Sequence, residues 1–596
     1  MIGAEPGGRG RGAGRIVAWL LVLHAVLVLL TNATTLRFLE PSVSRKTLAA
    51  ASVIAAAAAL LLSRYSFPRS GEERRALVRS HAVPATLLVI LALAFGLRVG
   101  GIRSGLPQSY PADEYDYVNR ALKMMKTGEF NPHRWDHPTL QPYLAVITYT
   151  GVYFAGAARG RWSSIADVVE EDLLYWGRFI SAVAGTATVL ATFFLGRRLF
   201  GAGVGLLAAA LLAVSPAAVE HSQFNKSDPV IALLVPAALL VILSYLKDGG
   251  TGRAIASGAL IGLTVAAKYN GAPLLFPFLL SVLLRRGRAS FQAPDLYLGI
   301  GAAIVAFLAG CPYLLADFPR FLDETGTVVR NYAVVGTEGL VSDSDDNWAY
   351  HARYIAGQGM GPVGFLAALA GLGLALYRLD GPLAVFLAFP VLYYSYYSPQ
   401  RVRFPSNMVP VYPFLAILAA YAVEEGRRAL ARRWPGARFG RSLAVALLIA
   451  VLGPLLAGSL RYNHSVMLPD TGNAAREWIE RNLPAGSHVA VELHGPVLDR
   501  SRYRVMKESR IVNRGVRNYR AEGVEYLVVS SSSYDRFAPD HRQSRDYQEL
   551  FAICPLVQEF AAVPGESFGP TIRVLRVLPA AGADPVSTPA APPGPS

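Results

Sequence analysis

Charged residues are scarce in this sequence. They make up 17% of the 596 residues, while 53% of the chain is apolar; an ordinary soluble domain carries about 25% charged residues. That balance excludes a disordered chain and a conventionally soluble one. Cysteine is nearly absent. Cys311 lies in an apolar run and Cys554 far along the chain, so there is no disulfide framework and no CxxC metal site, which argues against redox and zinc-cysteine chemistry. No internal repeat stands out. Acids are also in deficit, with 57 Lys+Arg against 42 Asp+Glu and a formal charge of +15. Such an excess serves nucleic acid, an anionic membrane surface or a phosphorylated substrate, and its location decides which.

What the chain has in quantity is apolar runs long enough to cross a bilayer. They begin near Val17, Thr47, Val83, Arg178, Val204, Pro229, Ala254, Ala272, Asp295, Gly361, Pro382, Asn407 and Ser442, giving about thirteen spans. The apolar but Tyr-rich segment 140–158 is read as an amphipathic helix in the membrane interface, because counting it as a span breaks the charge pattern. With the N-terminus inside, each cytoplasmic connection is short and basic: Arg9 to Arg15, Arg64 to Arg79, Arg197 and Arg198, Lys247 and Arg253, Arg285 to Arg288, Arg378, and the arginines of 424–441. This is the positive-inside rule. The basic excess is therefore a topology signal and not a nucleic-acid footprint. The loops 103–175 and 316–358, and everything from Arg461 onward, then lie outside. The first run also fits a cleaved signal peptide, which would leave the later orientations unchanged.

The expected fold is a polytopic α-helical membrane protein with a small C-terminal extracytoplasmic α/β domain. Residues 1–82 form an N-terminal pair of spans, 83–460 the membrane domain, 461–578 the outer module and 579–596 a disordered Pro/Ala/Ser tail. In the module, Ala474, Ala475, Trp478, Ile479 and Leu483 share a helix face, and strands are expected at 489–493, 509–512, 526–530 and 572–577.

Chemistry concentrates in the first outer loop. Pro111, Ala112, Asp113, Glu114, Tyr115 and Asp116 open a helical pattern with Val118, Ala121, Leu122 and Met125 on one face. Carboxylates favour the positive end of a helix dipole, so a helix start explains them by itself. Yet they stand where a span emerges, and the loop runs on into Asn131, Pro132, His133, Arg134, Trp135, Asp136, His137 and Pro138, a dense polar and aromatic cluster. His133 and His137 with Glu114 offer metal-ligating atoms at no diagnostic spacing, so a divalent metal stays an open question. His24 and His221 read as packed or interfacial.

A first outer loop of the form Asp-Glu-x-x-Tyr, then Gly-Glu-Phe-Asn-Pro-His and His-Pro ahead of a Tyr-rich apolar helix, resembles the GT-C glycosyltransferases, nearest to the protein O-mannosyltransferase and aminoarabinose-transferase-like group. His221 to Asp228, Gly262 to Thr264 with Lys268 to Gly271, and Arg401 to Pro413 match in the family's order across 83–460. The sequence departs from the pattern at Thr139, where a second Pro is common, and at Lys226, where Arg is frequent. The resemblance implies an inverting transfer of a sugar from a polyprenyl-phosphate carrier to a protein, lipid or envelope glycan acceptor. It implies Asp113 as the base that deprotonates the acceptor hydroxyl. Glu114 would orient the acceptor or help bind a metal, and His137, Lys226 and Asp228 would line the substrate site.

Arg401 and Arg403 sit outside, where positive charge is not needed for topology. Lipid headgroup contact accounts for them; so does a leaving phosphate, which a guanidinium binds in bidentate fashion. Lys268 in an apolar run costs about 2.5–3.5 kcal/mol if central, and either snorkels or reaches the same phosphate. The implied setting is the cytoplasmic membrane of a bacterium with the active site on the outer face, in contact with membrane lipids. Two other classes remain in view: a secondary transporter, which would place its ionisable residues at the midplane in paired halves, and a membrane-anchored binding protein, which leaves the first loop unexplained.

Overall fold

The computed structural model describes residues 71–108, 112–335, 347–433, 438–537 and 540–578. The runs near Val17 and Thr47, the signal-peptide reading and the tail beyond 578 lie outside the described residues. The chain divides into two compact units, Met1–Ala82 and Val83–Ser596. Of the first, the described part is the start of helix α1; the second holds everything discussed below.

Every described apolar run is a helix. The order is α1 (Gly71–Gly100), α2 (Ala112–Thr127), α3 (Leu140–Ala157), α4 (Glu170–Phe200), α5 (Ala202–Ala213), α6 (Pro216–His221), α7 (Asp228–Asp248), α8 (Thr251–Ala267), α9 (Leu275–Arg286), α10 (Pro294–Gly310), α11 (Phe318–Arg330), α12 (Asn347–Tyr354), α13 (Gly361–Tyr377), α14 (Gly381–Tyr397), α15 (Tyr412–Arg433) and α16 (Arg438–Val466). Helix α4 starts earlier than its apolar run. Glu170, Glu171 and Asp172 occupy its first turn, where they complement the dipole, and Asp172 accepts the Val169 N–H.

Among the described residues, five helices are long and apolar enough to cross a membrane, or up to seven if two bent pairs count as one span each. The pairs are 269–292 with α10, bent by 100°, and 348–359 with α13, bent by 119°. Several other runs make shorter helices. At 1.5 Å per residue the 12-residue α5 is only about 18 Å long, short of a hydrocarbon core of about 30 Å. Helix α3 is not among the candidates for crossing. Side chains such as Ile304 and Val305 on α10 and Leu366 on α13 stay exposed, the pattern of helices whose outer faces meet lipid.

Small residues let helices touch backbone to backbone. Gly258 and Gly262, one turn apart on α8, face Gly299 and Ala303 on α10; a Cβ at Gly258 would stand 1.8 Å from the Gly299 carbonyl oxygen. This pairing fixes the end of α8, and with it Lys268, against its neighbours.

After α16 comes a five-stranded sheet in the order β2-β1-β3-β5-β4. The strands are β1 (His488–Glu492), β2 (Arg504–Glu508), β3 (Tyr526–Ser530), β4 (Leu556–Phe560) and β5 (Ile572–Arg576). Strand β1 is parallel to β2 and β3, and β5 is antiparallel to β3 and β4. Helix α17 (Thr471–Asn482) buries Ala475 and Ile479 on one face of the sheet with Val489, Val491 and Val528. Leu527 and Val529 alternate to the other face and join Tyr547 and Leu550. Three of the expected strands are present within a residue or two of their expected ends. The fourth, 509–512, is not a strand: β2 ends at Glu508, and Ile511–Asn513 is a 3-10 turn. Strands β2 and β4 escape a reading by apolar runs because both are sheet edges, with Arg504 and Lys507 exposed on one and Leu556 and Val557 on the other.

Candidate functional site

Asp113 and Glu114 are neighbours on the first turn of α2, and about 100° of helical rotation sends them to different environments. The apolar face of α2 buries Val118, Ala121 and Leu122 and carries Glu114 inward with it. Glu114 is 0% exposed. Its carboxylate accepts from Arg178 of α4 at 3.0 Å (Nε) and 2.8 Å (Nη2), and from the Asn225 amide at 2.6 Å. Arg178 also donates to the carbonyls of Ile102 at 3.1 Å and Ser104 at 2.7 Å. One buried ion pair thus ties together α2, α4, the loop after α1 and the loop before α7. The Glu114 oxygens, expected to orient the acceptor or help bind a metal, face inward and are hydrogen-bonded to Arg178 and Asn225.

Asp113 is exposed, and among the described residues its carboxylate has no partner. It borders a cavity of about 230 Å³ lined also by Asp116, Tyr117, Arg134, Asp136 and His137. The other two acids there are engaged. Asp116 pairs with Arg120 at 2.6 Å and Arg134 at 2.9 Å, and Asp136 pairs with Arg120 at 2.8 Å and Arg134 at 2.5 Å. Burial works against the Asp136 charge, but the hydrogen bonds and charges of His137 and Arg120 outweigh it and hold this carboxyl well below the usual range. His137 lies 3.5 Å from Asp136 and meets Tyr117 edge to face.

The rest of the first loop is strapped to α11. Asn131 donates to Asp317 at 2.9 Å, and the Trp135 amide donates to Glu324. His133 faces Asp317 with Nδ1 and Glu129 with Nε2, so its two acids approach opposite ring nitrogens and do not converge on one ion. Among the described residues no group of three or more His, Cys, Asp or Glu is placed to hold a metal.

A second cluster adjoins Asp113. Lys268 leaves the end of α8 in extended backbone and pairs with Asp228, at the start of α7, at 2.6 Å; Asn407 accepts from the same ammonium at 3.4 Å. Snorkelling is therefore not what Lys268 does. Tyr117 reaches Ser227 at 3.3 Å, and both Tyr117 and Tyr332 lie within electrostatic range of Asp113 and Asp228. The Lys226 ammonium has no partner among the described residues. Arg401 is exposed and donates to the Val334 carbonyl at 2.5 Å. Arg403 is buried, with Nε on the Gln400 carbonyl at 3.0 Å, its plane over Tyr350 at 5.8 Å and Nη1 without a hydrogen-bond partner among the described residues. His221 is buried with Nε2 3.4 Å from the Tyr354 hydroxyl; burial first, then the charge of Lys226, pushes it down to about 4, so it stays neutral near pH 7.

Asp113, His137, Asp228 and Lys268 thus gather near Tyr117, while Glu114 serves the scaffold behind them. Arg178, Tyr117, Asn225, Tyr332 and Asn407 were not singled out by the sequence reading. Arg178 did carry a signal, since an arginine at the edge of an apolar run demands a partner.

A family model described as dolichyl-phosphate-mannose-protein mannosyltransferase matches residues 170–313, the stretch from α4 through α10. Among solved structures, the apo oligosaccharyltransferase of Archaeoglobus fulgidus superposes with a TM-score of 0.52 at 15% identity, over 76% of this chain and 70% of that one. The same enzyme tethered to an acceptor peptide gives a TM-score of 0.50 at 13% identity, over 77% and 70%. ArnT of Cupriavidus metallidurans bound to undecaprenyl phosphate gives 0.49 at 16%, over 83% and 97%. At these identities the likeness is one of fold. No curated protein matches the sequence. The segment 170–313 is thus similar to the dolichyl-phosphate-mannose-protein mannosyltransferases, and the chain as a whole is similar in fold to the archaeal oligosaccharyltransferase.

Proposed function

We propose that the chain is a membrane glycosyltransferase of the GT-C type that moves a sugar from a polyprenyl-phosphate carrier to a hydroxyl of a protein, lipid or envelope glycan, with inversion, on the outer face of a bacterial cytoplasmic membrane. The observation that carries the reading is the contrast among three acids around one cavity: Asp116 and Asp136 are held by arginines, and Asp113 is not. A carboxylate without a cationic partner accepts a proton more readily than one inside an ion pair. Asp113 takes the proton of the acceptor hydroxyl as its oxygen attacks the anomeric carbon. The bond from that carbon to the phosphate oxygen breaks, and its electron pair leaves with the polyprenyl phosphate.

The departing phosphate needs positive charge. Lys226, whose ammonium makes no ion pair among the described residues, and Arg403, whose buried Nη1 has no hydrogen-bond partner among them, supply it; Lys268 is paired with Asp228. Arg401, at the surface, holds the Val334 carbonyl and meets lipid headgroups. The donor class is supported by the family's description and by the order of the motifs in 83–460.

The test is transfer of radiolabelled sugar from polyprenyl phosphate in nanodiscs. Asp113→Asn should lower the rate by about 10²–10⁴ with the fold retained. Near-normal turnover in that variant would reduce Asp113 to a helix-start residue. Absence of transfer by the wild type, with counterflow of a solute instead, would favour a transporter.

A further inference from the structure

The chain leaving α1 leads to Asp113 in the first turn of α2, and its residues 101–108 are held from two sides. From the membrane body, Arg178 grips the carbonyls of Ile102 and Ser104. From the other side come residues of the C-terminal part. Ser104 Oγ donates to the Val466 carbonyl at the end of α16. Asn473, in the first turn of α17, donates from Nδ2 to the carbonyls of Gly105 at 3.1 Å and Leu106 at 3.4 Å. The amide of Val497 donates to Gln108 Oε1 at 2.8 Å, and Gln108 is buried. The ammonium of Lys507, on edge strand β2, stands 5.5 Å from the ring centre of Tyr115, whose hydroxyl in turn donates to the Pro107 carbonyl at 3.0 Å.

Backbone carbonyls of an outer loop ordinarily turn to water, and a loop so solvated samples many conformations. Here consecutive carbonyls are divided between two bodies, Ser104 going to Arg178 and Gly105 and Leu106 to Asn473. The groups making these contacts, two side chains and one backbone amide, come from separate elements of the module: its first helix, the loop after β1, and β2. Each of them lands within nine residues of Asp113. A small sheet tethered only by its connecting chain would not produce this convergence.

We propose that the C-terminal module is a positioning element for the catalytic loop: through Asn473, Val497 and Lys507 it holds Gly105, Leu106, Gln108 and Tyr115 and so the place of Asp113. The module makes no contact with reacting atoms in this account and acts through the loop. The proposal rests on Asp113 being the base, but the mechanical coupling itself does not. A misplacement of about 1 Å at a reacting group costs on the order of 10²-fold in rate, so loss of one tether out of several should cost roughly tenfold.

The experiment uses the full chain in nanodiscs, with Asn473→Ala, Lys507→Met and, from the loop side, Gln108→Ala, which leaves every module residue intact. Each variant is read by kinetics and by hydrogen exchange of peptides covering 101–108 and 112–117. The expected result is a kcat lowered about tenfold with the donor KM within about twofold, and faster exchange in those peptides while the sheet strands exchange as before. Lys507→Arg should restore both readouts, since a guanidinium also sits over an aromatic face. Unchanged kcat and unchanged loop exchange in all three variants would overturn the proposal, as would a uniform rise in exchange across the module, which marks unfolding and not lost positioning. Faster loop exchange combined with full activity in Asp113→Asn would leave the coupling standing and remove the base.

Discussion

Two adjacent carboxylates in the first turn of α2 have opposite surroundings. Asp113 stands in solvent without a partner among the described residues, and Glu114 is enclosed in a bidentate pair with Arg178. Taking one member from a buried pair leaves an uncompensated charge, at a cost of about 3–5 kcal/mol. Glu114→Gln and Arg178→Leu should therefore each lower thermal stability in detergent by several degrees or abolish accumulation. Replacing both by leucine should recover part of the loss. A stable, inactive Glu114→Gln protein would instead place Glu114 in the chemistry. At this scale the sequence marks the region, because a polar cluster at the exit of a span has few structural reasons to exist, but it does not separate the exposed Asp113 from the buried Glu114. The partner of Glu114 lies 64 residues away, and that of Asp228 lies 40 away; no local pattern announces such pairs. Arg401 and Arg403 looked equivalent in sequence, and the fold separates them into a surface residue and a buried one.

Among elements, the pairing of α8 with α10 bears most directly on the site, because α8 ends at Lys268. Gly258→Leu has no room beside the Gly299 carbonyl. It should push the two helices apart, weaken the ion pair of Lys268 with Asp228 and lower turnover, whereas Gly301→Leu, where a Cβ meets nothing within 4 Å, should be tolerated. Activity and melting temperature of the two variants, measured side by side, check this. In the module, burial raises the pKa of Glu492, against hydrogen bonds from Tyr547, Ser530 and Ile511. A carboxyl whose folded pKa is raised binds its proton more tightly when folded. Its contribution is fully present below its unfolded pKa of about 4.3 and is lost as pH rises through the folded value. The module should thus unfold at lower temperature as pH climbs out of the acid range, and Glu492→Gln should flatten that dependence; an unchanged pH profile would show the carboxyl to be water-accessible. Helices were legible wherever an apolar run was long, since burial in lipid selects for composition alone. Edge strands were not, because exposure on one side dilutes their alternation with charge.

For the whole molecule, the arginine bias of the loops argues the orientation in the membrane. Both natural cysteines are buried, so single introduced ones report cleanly. With an impermeant thiol reagent on intact cells, Glu480→Cys should label and Arg433→Cys should not; the reverse pattern would turn the protein over and move Asp113 to the cytoplasmic side. One further consequence follows from the open cavity beside Asp113. Its volume of about 230 Å³ has room for several water molecules. Water is a rival nucleophile for any base waiting there with an activated sugar at hand, and its hydrolysis product is a wasted donor. Fidelity then depends on the order of arrival: an acceptor that fills the space before the donor is seated displaces the competitor, and one that comes late finds free sugar. The yield of glycoside per donor consumed becomes a property of the acceptor's shape and not of the base.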